Sequence, residues 1–187
     1  HLISPLSEDG KQSVYLRGQI IHQLLQMAEQ QPPADFQETA KQFLARAVFA
    51  LPIRQQQEIL QHINSLLGSP LWQSLRMAEN LYEAPIQGFI PKKSGERVHI
   101  TGRIDRLAIF DKEIWIMDYK THHALPRSIA DVPAEYFRQM AIYRSLISQI
   151  YPPDIYPPSQ IRCFLLWTAK PLLMELENDL LNTYIIH

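Results

Sequence analysis

The sequence predicts an α/β protein in which a helical N-terminal half leads into a central mixed β-sheet flanked by helices. Three observations carry this. Apolar residues recur at helical spacing over residues 12–80. The period then changes to that of strands, in three successive runs separated by short turn-forming stretches. A helical segment follows before two further strands, and this order is that of an α/β sandwich with a mixed sheet.

The elements follow in chain order. From Val14 to Gln30, Leu16, Ile20, Leu24 and Met27 form one stripe of helical period, ended by Pro32-Pro33. Asp35 with Glu38 three residues on resembles a capping box opening a helix to about Ala50. Pro52 breaks it, and a helix from Ile53 to Leu67 stops at Gly68, a candidate C-terminal cap. Ser69-Pro70 starts a short helix through Glu79. Strands then run from Leu81 to Ile90, Arg97 to Phe110 and Glu113 to Tyr119, with turns at Lys93-Ser-Gly-Glu96 and Asp111-Lys112. A helix spans Ala134 to Ile150. The proline-rich Tyr151 to Pro158 suits neither helix nor central strand. Two strands, Ile161 to Thr168 and Pro171 to Leu176, pair across Ala169-Lys170, and a terminal helix closes the chain.

With 187 residues, 46% apolar and 20% charged, the chain has enough material for one substantial core, so we expect a single domain over residues 1–187. It divides into a helical part, 12–80, and an α/β core, 81–187. The opening at His1 rather than Met reads as a piece of a longer protein, with His1 a possible tag remnant. Net charge is −1, which gives no global mark of nucleic-acid binding. The basic charge is local: ten of eighteen basic residues lie between Lys92 and Arg144, beside seven acids. The single cysteine, Cys163, excludes a disulfide framework and a cysteine-held iron–sulfur cluster; its apolar neighbours mark it as a core residue. No apolar stretch reaches the length of a membrane span, and no signal peptide opens the chain.

The residues that carry chemistry lie in Gly102-Arg-Ile-Asp105 and Asp118-Tyr-Lys-Thr121. Asp118 and Lys120 alternate on one side of their strand while Tyr119 points to the other. Two charges ending an apolar strand are costly without compensation. Carboxylates from adjacent strands offer the oxygen ligands that Mg²⁺ or Mn²⁺ prefers, and phosphodiester cleavage uses such a metal to neutralise the phosphate and activate water. Lys120 would set an ammonium by the attacking water or the developing charge. The alternative is structural, with Asp105 paired to Arg103 or Arg106 and Asp118 to Lys120 as hairpin ion pairs. His22 lies one turn after Gly18, at the border of the first helix's apolar face. A lone helical histidine is more often structural, and His62, His99, His122 and His123 stand at the same level.

Arg17-Gly-Gln-Ile-Ile-His22, Gly102-x-Ile-Asp105, Asp118-Tyr-Lys-Thr121 and Gln139-x-x-x-Tyr143, in this order, resemble the RecB-type nuclease domain of the PD-(D/E)xK superfamily. Glu83 is more weakly similar in placement to an acidic position of that family. The resemblance implies a restriction-endonuclease-like core. It implies that His22, Asp105, Asp118 and the Tyr119 carbonyl hold the metal, and that Lys120 is the catalytic lysine. Gln139, Tyr143, Thr121 and Arg103 would support the site or contact DNA. Members with four cluster-binding cysteines differ from this chain, which is more similar to the C-terminal nuclease domain of AddA or RecB; Leu165-Leu-Trp-Thr168 is similar to the AddA ending. That likeness implies single-stranded DNA and broken duplex ends as substrates, in double-strand-break repair in the bacterial cytoplasm. It also implies helicase domains in the same full-length chain and an AddB-like second subunit. No Walker motif is present, so an ATPase motor would lie in other sequence. A non-catalytic DNA-binding or docking module and a stand-alone exonuclease are the rival readings.

Overall fold

The computed structural model describes residues 8–31, 33–46, 50–92, 94–120, 125–168 and 172–184. The chain divides into two compact units, one drawn from His1–Ser69, Lys120–His123 and Trp167–Pro171, the other from Pro70–Tyr119, Ala124–Leu166 and Leu172–His187.

The first unit is built on helices α1 (Glu8–Gln30), α2 (Pro33–Leu44) and α3 (Ile53–Leu67). Each buries one apolar stripe: Ile20, Leu24 and Leu25 from α1, Phe36 and Ala40 from α2, Ile59 and Ile63 from α3. Polar ties reinforce the packing, with the Gln37 amide donating to Asn64 Oδ1 at 2.6 Å and Arg17 lying 3.4 Å from His62 Nδ1. Helix α2 starts at Pro33, so Asp35 occupies its first turn instead of capping it, where a carboxylate still complements the helix dipole. It ends at Leu44, short of the expected Ala50, whose φ of 47° no helix accommodates. Gly68 does end α3, but in the right-handed region (φ −80°), its N–H bonded to the Asn64 carbonyl.

The second unit holds a mixed sheet of five strands in the order β1 (Glu79–Pro91), β2 (Arg97–Ile109), β3 (Ile114–Lys120), β4 (Ile161–Trp167), β5 (Leu172–Leu176). The first three pair antiparallel as a meander. Helix α5 (Ala134–Ile150) intervenes between β3 and β4, as a parallel pair of neighbours requires. Strands β3 and β4 are almost wholly buried, which matches their continuous apolar sequence. Cys163 lies among these residues, its thiol pushed up to about 12 by burial. Short helices α4 (Pro70–Leu75) and α6 (Asn178–Asn182) complete the unit.

Helix α4 stops at Leu75, four residues before the expected end, and Glu79 already belongs to β1. Asn80 explains the early stop. Its amide donates to the carbonyls of Leu75 and Ala78, both at 2.8 Å, satisfying groups that a longer helix would have used. Strand β1 lies at the sheet edge and carries Pro85 and Pro91, residues that blunt edge-to-edge pairing.

The long β1–β2 ribbon has two faces. Ile86, Ile90 and Ile104 are buried on the same side as Gly88 and Gly102. On that side α5 approaches closely: a Cβ on Gly88 would lie 2.7 Å from Leu146, and one on Gly102 would lie 2.7 Å from the Tyr143 hydroxyl and 2.8 Å from its ring.

Candidate metal and catalytic site

The site of the second unit is set by register. The β1–β2 ladder pairs Tyr82 with Arg106 and Ala84 with Ile104, omitting the rung between them, which would be Glu83 and Asp105. The β2–β3 ladder ends at Arg106 and Met117; one residue further, Asp105 would face Asp118. Glu83, Asp105 and Asp118 thus form one row across three strands, where regular pairing lapses. The backbone is strained at the same point, since Glu83 adopts φ 48° inside a strand. A non-glycine residue there costs on the order of 1–3 kcal/mol and persists only where its surroundings impose it.

Carboxylate oxygens of Glu83 and Asp105 lie within 4.8 Å of one another, both residues half-buried. Like charges so close repel unless a cation or proton stands with them. Asp105 Oδ2 accepts the Tyr119 N–H at 2.7 Å, a charge-assisted bond that replaces the missing backbone rung and fixes the carboxylate. Oxygen donors held this way fit a hard divalent cation, so the residues present suit Mg²⁺ or Mn²⁺. The closely spaced pair is Glu83 with Asp105; Asp118 lies one strand over and does not join that grouping.

Asp118 and Lys120 are buried, at 8% and 9% exposure, while the Tyr119 ring is buried on the opposite side of β3. The strand end that carries Lys120 is anchored through its carbonyl, which accepts the Thr168 N–H at 3.0 Å. Thr168 is itself buried. Thr121 lies outside the described residues, as do His122 and His123. His22 is half-buried on α1 of the first unit.

The two arginines considered as partners of Asp105 make the following contacts. Arg103 meets Glu83, at 3.5 Å. Arg106 turns to the other face, fully buried, its guanidinium over Trp72 (4.5 Å) and Tyr82 (5.1 Å) and its Nε donating to Asn80 at 2.8 Å. Only the fold brings Trp72 and Asn80 to Arg106, so its burial left no local mark in the sequence.

Gln139 and Tyr143 share a face of α5. The Tyr143 hydroxyl accepts the Arg103 N–H at 3.3 Å, and the Gln139 amide lies 3.4 Å from it. Tyr143 is buried, with its ring over Gly102. It therefore braces the backbone two residues from Asp105 and does not present its ring to a base. Gly102→Ala should push Tyr143 away, lowering stability by roughly 1–3 kcal/mol, as overpacking does. Thermal melting would read this as a drop of several degrees; an unchanged midpoint would mean that Tyr143 yields freely.

Glu83 is the member of this carboxylate row that sequence reasoning weighted least. Its sequence mark was an acid near the head of the first strand, weakly similar in placement to an acidic position of the family resembled, and neither its partner nor its φ is visible in composition or alternation.

A family model described as the PD-(D/E)XK nuclease superfamily matches residues 3–175. A solved structure titled "Crystal structure of SSO0001" is similar at 17% identity with a TM-score of 0.40, covering 88% of this chain and 70% of that one. No curated protein matches. Among the described residues no helix is long and apolar enough to cross a membrane.

Proposed function

Because the chain belongs to the PD-(D/E)XK nuclease superfamily, we propose that it hydrolyses phosphodiester bonds of single-stranded DNA at the row of Glu83, Asp105 and Asp118. The observation that carries this reading is the interrupted register. Three acids stand in one row where both ladders lapse, and Glu83 among them is held in a backbone conformation that a non-glycine residue rarely adopts.

Glu83, Asp105, Asp118 and the Tyr119 carbonyl would hold Mg²⁺ or Mn²⁺, with His22 on α1 as the nitrogen ligand. Such an ion would neutralise the scissile phosphate and lower the pKa of the attacking water. The protein's own part is positioning and charge. The Tyr119 N–H aims Asp105. Lys120 sets its ammonium beside the developing negative charge, where a fixed cation in a buried setting acts most strongly. Tyr143, with Gln139 against its hydroxyl, steadies the strand that carries Arg103 and Asp105.

The order of the four motifs supports a place in a bacterial, cytoplasmic helicase–nuclease that processes broken duplex ends in recombinational repair. The helicase would lie in the same full-length chain, with an AddB-like second subunit. Retention of all three acids and the lysine favours catalysis over a docking module.

The deciding experiment is incubation of the chain with single-stranded DNA in Mg²⁺ and in EDTA. Cleavage in Mg²⁺ alone is expected, and no cleavage with either Mg²⁺ or Mn²⁺ would overturn the reading. Gln139→Ala should cost little stability, since no large apolar group is lost. It should nonetheless slow cutting by about tenfold, ~1.4 kcal/mol of transition-state stabilisation, by loosening Tyr143. Wild-type cutting by a well-folded variant would reduce Gln139 to scaffold.

A further inference from the structure

On strand β2, Asp105, Arg103, Thr101, His99 and Arg97 alternate onto one face. Their cross-strand partners on β1 include Pro85, Gln87 and Phe89. This is the face turned away from Gly88, Gly102 and α5, and all these positions beyond Asp105 are exposed. Between the carboxylate row and the hairpin turn neither strand carries a single acid: residues 84–91 and 97–104 contain only Arg97 and Arg103 as fixed charges. Near the outer end Phe89 is 47% exposed, a large apolar ring left in water. His99 lies beside it with ring centroids 5.0 Å apart, and the Arg97 guanidinium stands 5.4 Å from its centroid.

From these observations we propose that the open face of the β1–β2 ribbon is a binding track for single-stranded DNA. Phe89 and His99 stack an unpaired base, and Arg97 and Arg103 contact the flanking phosphates. The proposal rests on the nuclease reading and extends it by naming where the strand lies outside the cutting site. Exposed π faces with adjacent cations are what sequence-independent single-strand binding uses, since every base offers a face to stack. The acid-free stretch complements a polyanion; it is bounded by the carboxylate row at one end and at the turn by Glu96, which pairs with Lys92. At about 3.3 Å per strand residue, His99 lies roughly 20 Å from Asp105, so a strand seated on Phe89 would run along the ribbon toward the carboxylates.

The test is binding of a fluorescent oligo-dT of about 12 nucleotides, within the span of known single-strand sites, measured by anisotropy in EDTA. Phe89→Ala should weaken binding about tenfold, and Phe89→Trp, which keeps a stacking face, should retain it. Arg97→Ala should weaken binding and flatten its salt dependence by about one phosphate contact. All three variants alter exposed side chains, and unchanged melting temperatures would confirm intact folds. Equal affinity of wild type and Phe89→Ala, no binding by wild type, or duplex bound as tightly as the single strand would each overturn the track. Cleavage is scored separately with Mn²⁺. Cutting of oligo-dT with no loss of affinity in Phe89→Ala would sink the track and leave the nuclease reading standing. Binding through Phe89 without any cutting would do the reverse.

Discussion

Lys120→Ala is expected to slow cleavage of single-stranded DNA by about a thousandfold, or ~4 kcal/mol of transition-state stabilisation, while Mn²⁺ binding stays nearly intact. The reason begins with cost. An ammonium held at 9% exposure at the end of an apolar strand is expensive unless its charge is used. Lys120 shares its side of β3 with Asp118, and its backbone is anchored by Thr168, so the side chain starts from a fixed point. If Lys120 is instead a structural partner of Asp118, the alanine variant leaves a buried carboxylate unpaired and its melting transition collapses. Lys120→Arg separates the accounts. A guanidinium keeps the positive charge but not the compact point charge of the ammonium, so stability should return without the rate. Recovery of both would assign Lys120 a purely electrostatic, position-tolerant role.

Asp105→Asn should abolish cleavage and weaken Mn²⁺ at least about tenfold without unfolding the chain. The asparagine oxygen still accepts the Tyr119 N–H, so the local hydrogen bond survives while the charge is lost. In EDTA the variant should melt no lower than wild type, because removing one of two close carboxylates relieves repulsion with Glu83. Titrating Mn²⁺ into wild type, Asp105→Asn and Asp118→Ala then apportions the ligands. Weakening in both variants supports a row of three acids. Weakening in Asp105→Asn alone would confine the ion to the Glu83–Asp105 pair, and equal binding by all three proteins would remove the metal from this row.

Alternation and composition carried much of the architecture. Helix α5 runs over Ala134–Ile150, the span expected of it, and the meander strands lie within two residues of where the strand period places them. Asp118 and Lys120 were legible as neighbours on one side of an apolar strand because side-chain direction along a strand is local, repeating every second residue whatever the strand pairs with. The single cysteine was legible as a core residue for a similar reason, since Ile161 and the run Phe164 to Trp167 place it in an apolar stretch.

What local pattern does not contain is register. Glu83 stands opposite Asp105 only because β1 takes a particular register with β2, and its φ of 48° falls where that ladder skips a rung. The same holds for Tyr143, whose helical spacing from Gln139 fits either a DNA contact or a brace. Packing over Gly102, forty-one residues earlier in the chain, makes it a brace. Arg106 reads as a hairpin surface charge until Trp72 and Tyr82 close over it, and Phe89 reads as an ordinary strand residue until α5 takes the other face of the ribbon. Each of these depends on residues distant in sequence, brought close by burial of apolar surface that no short window of the chain reports.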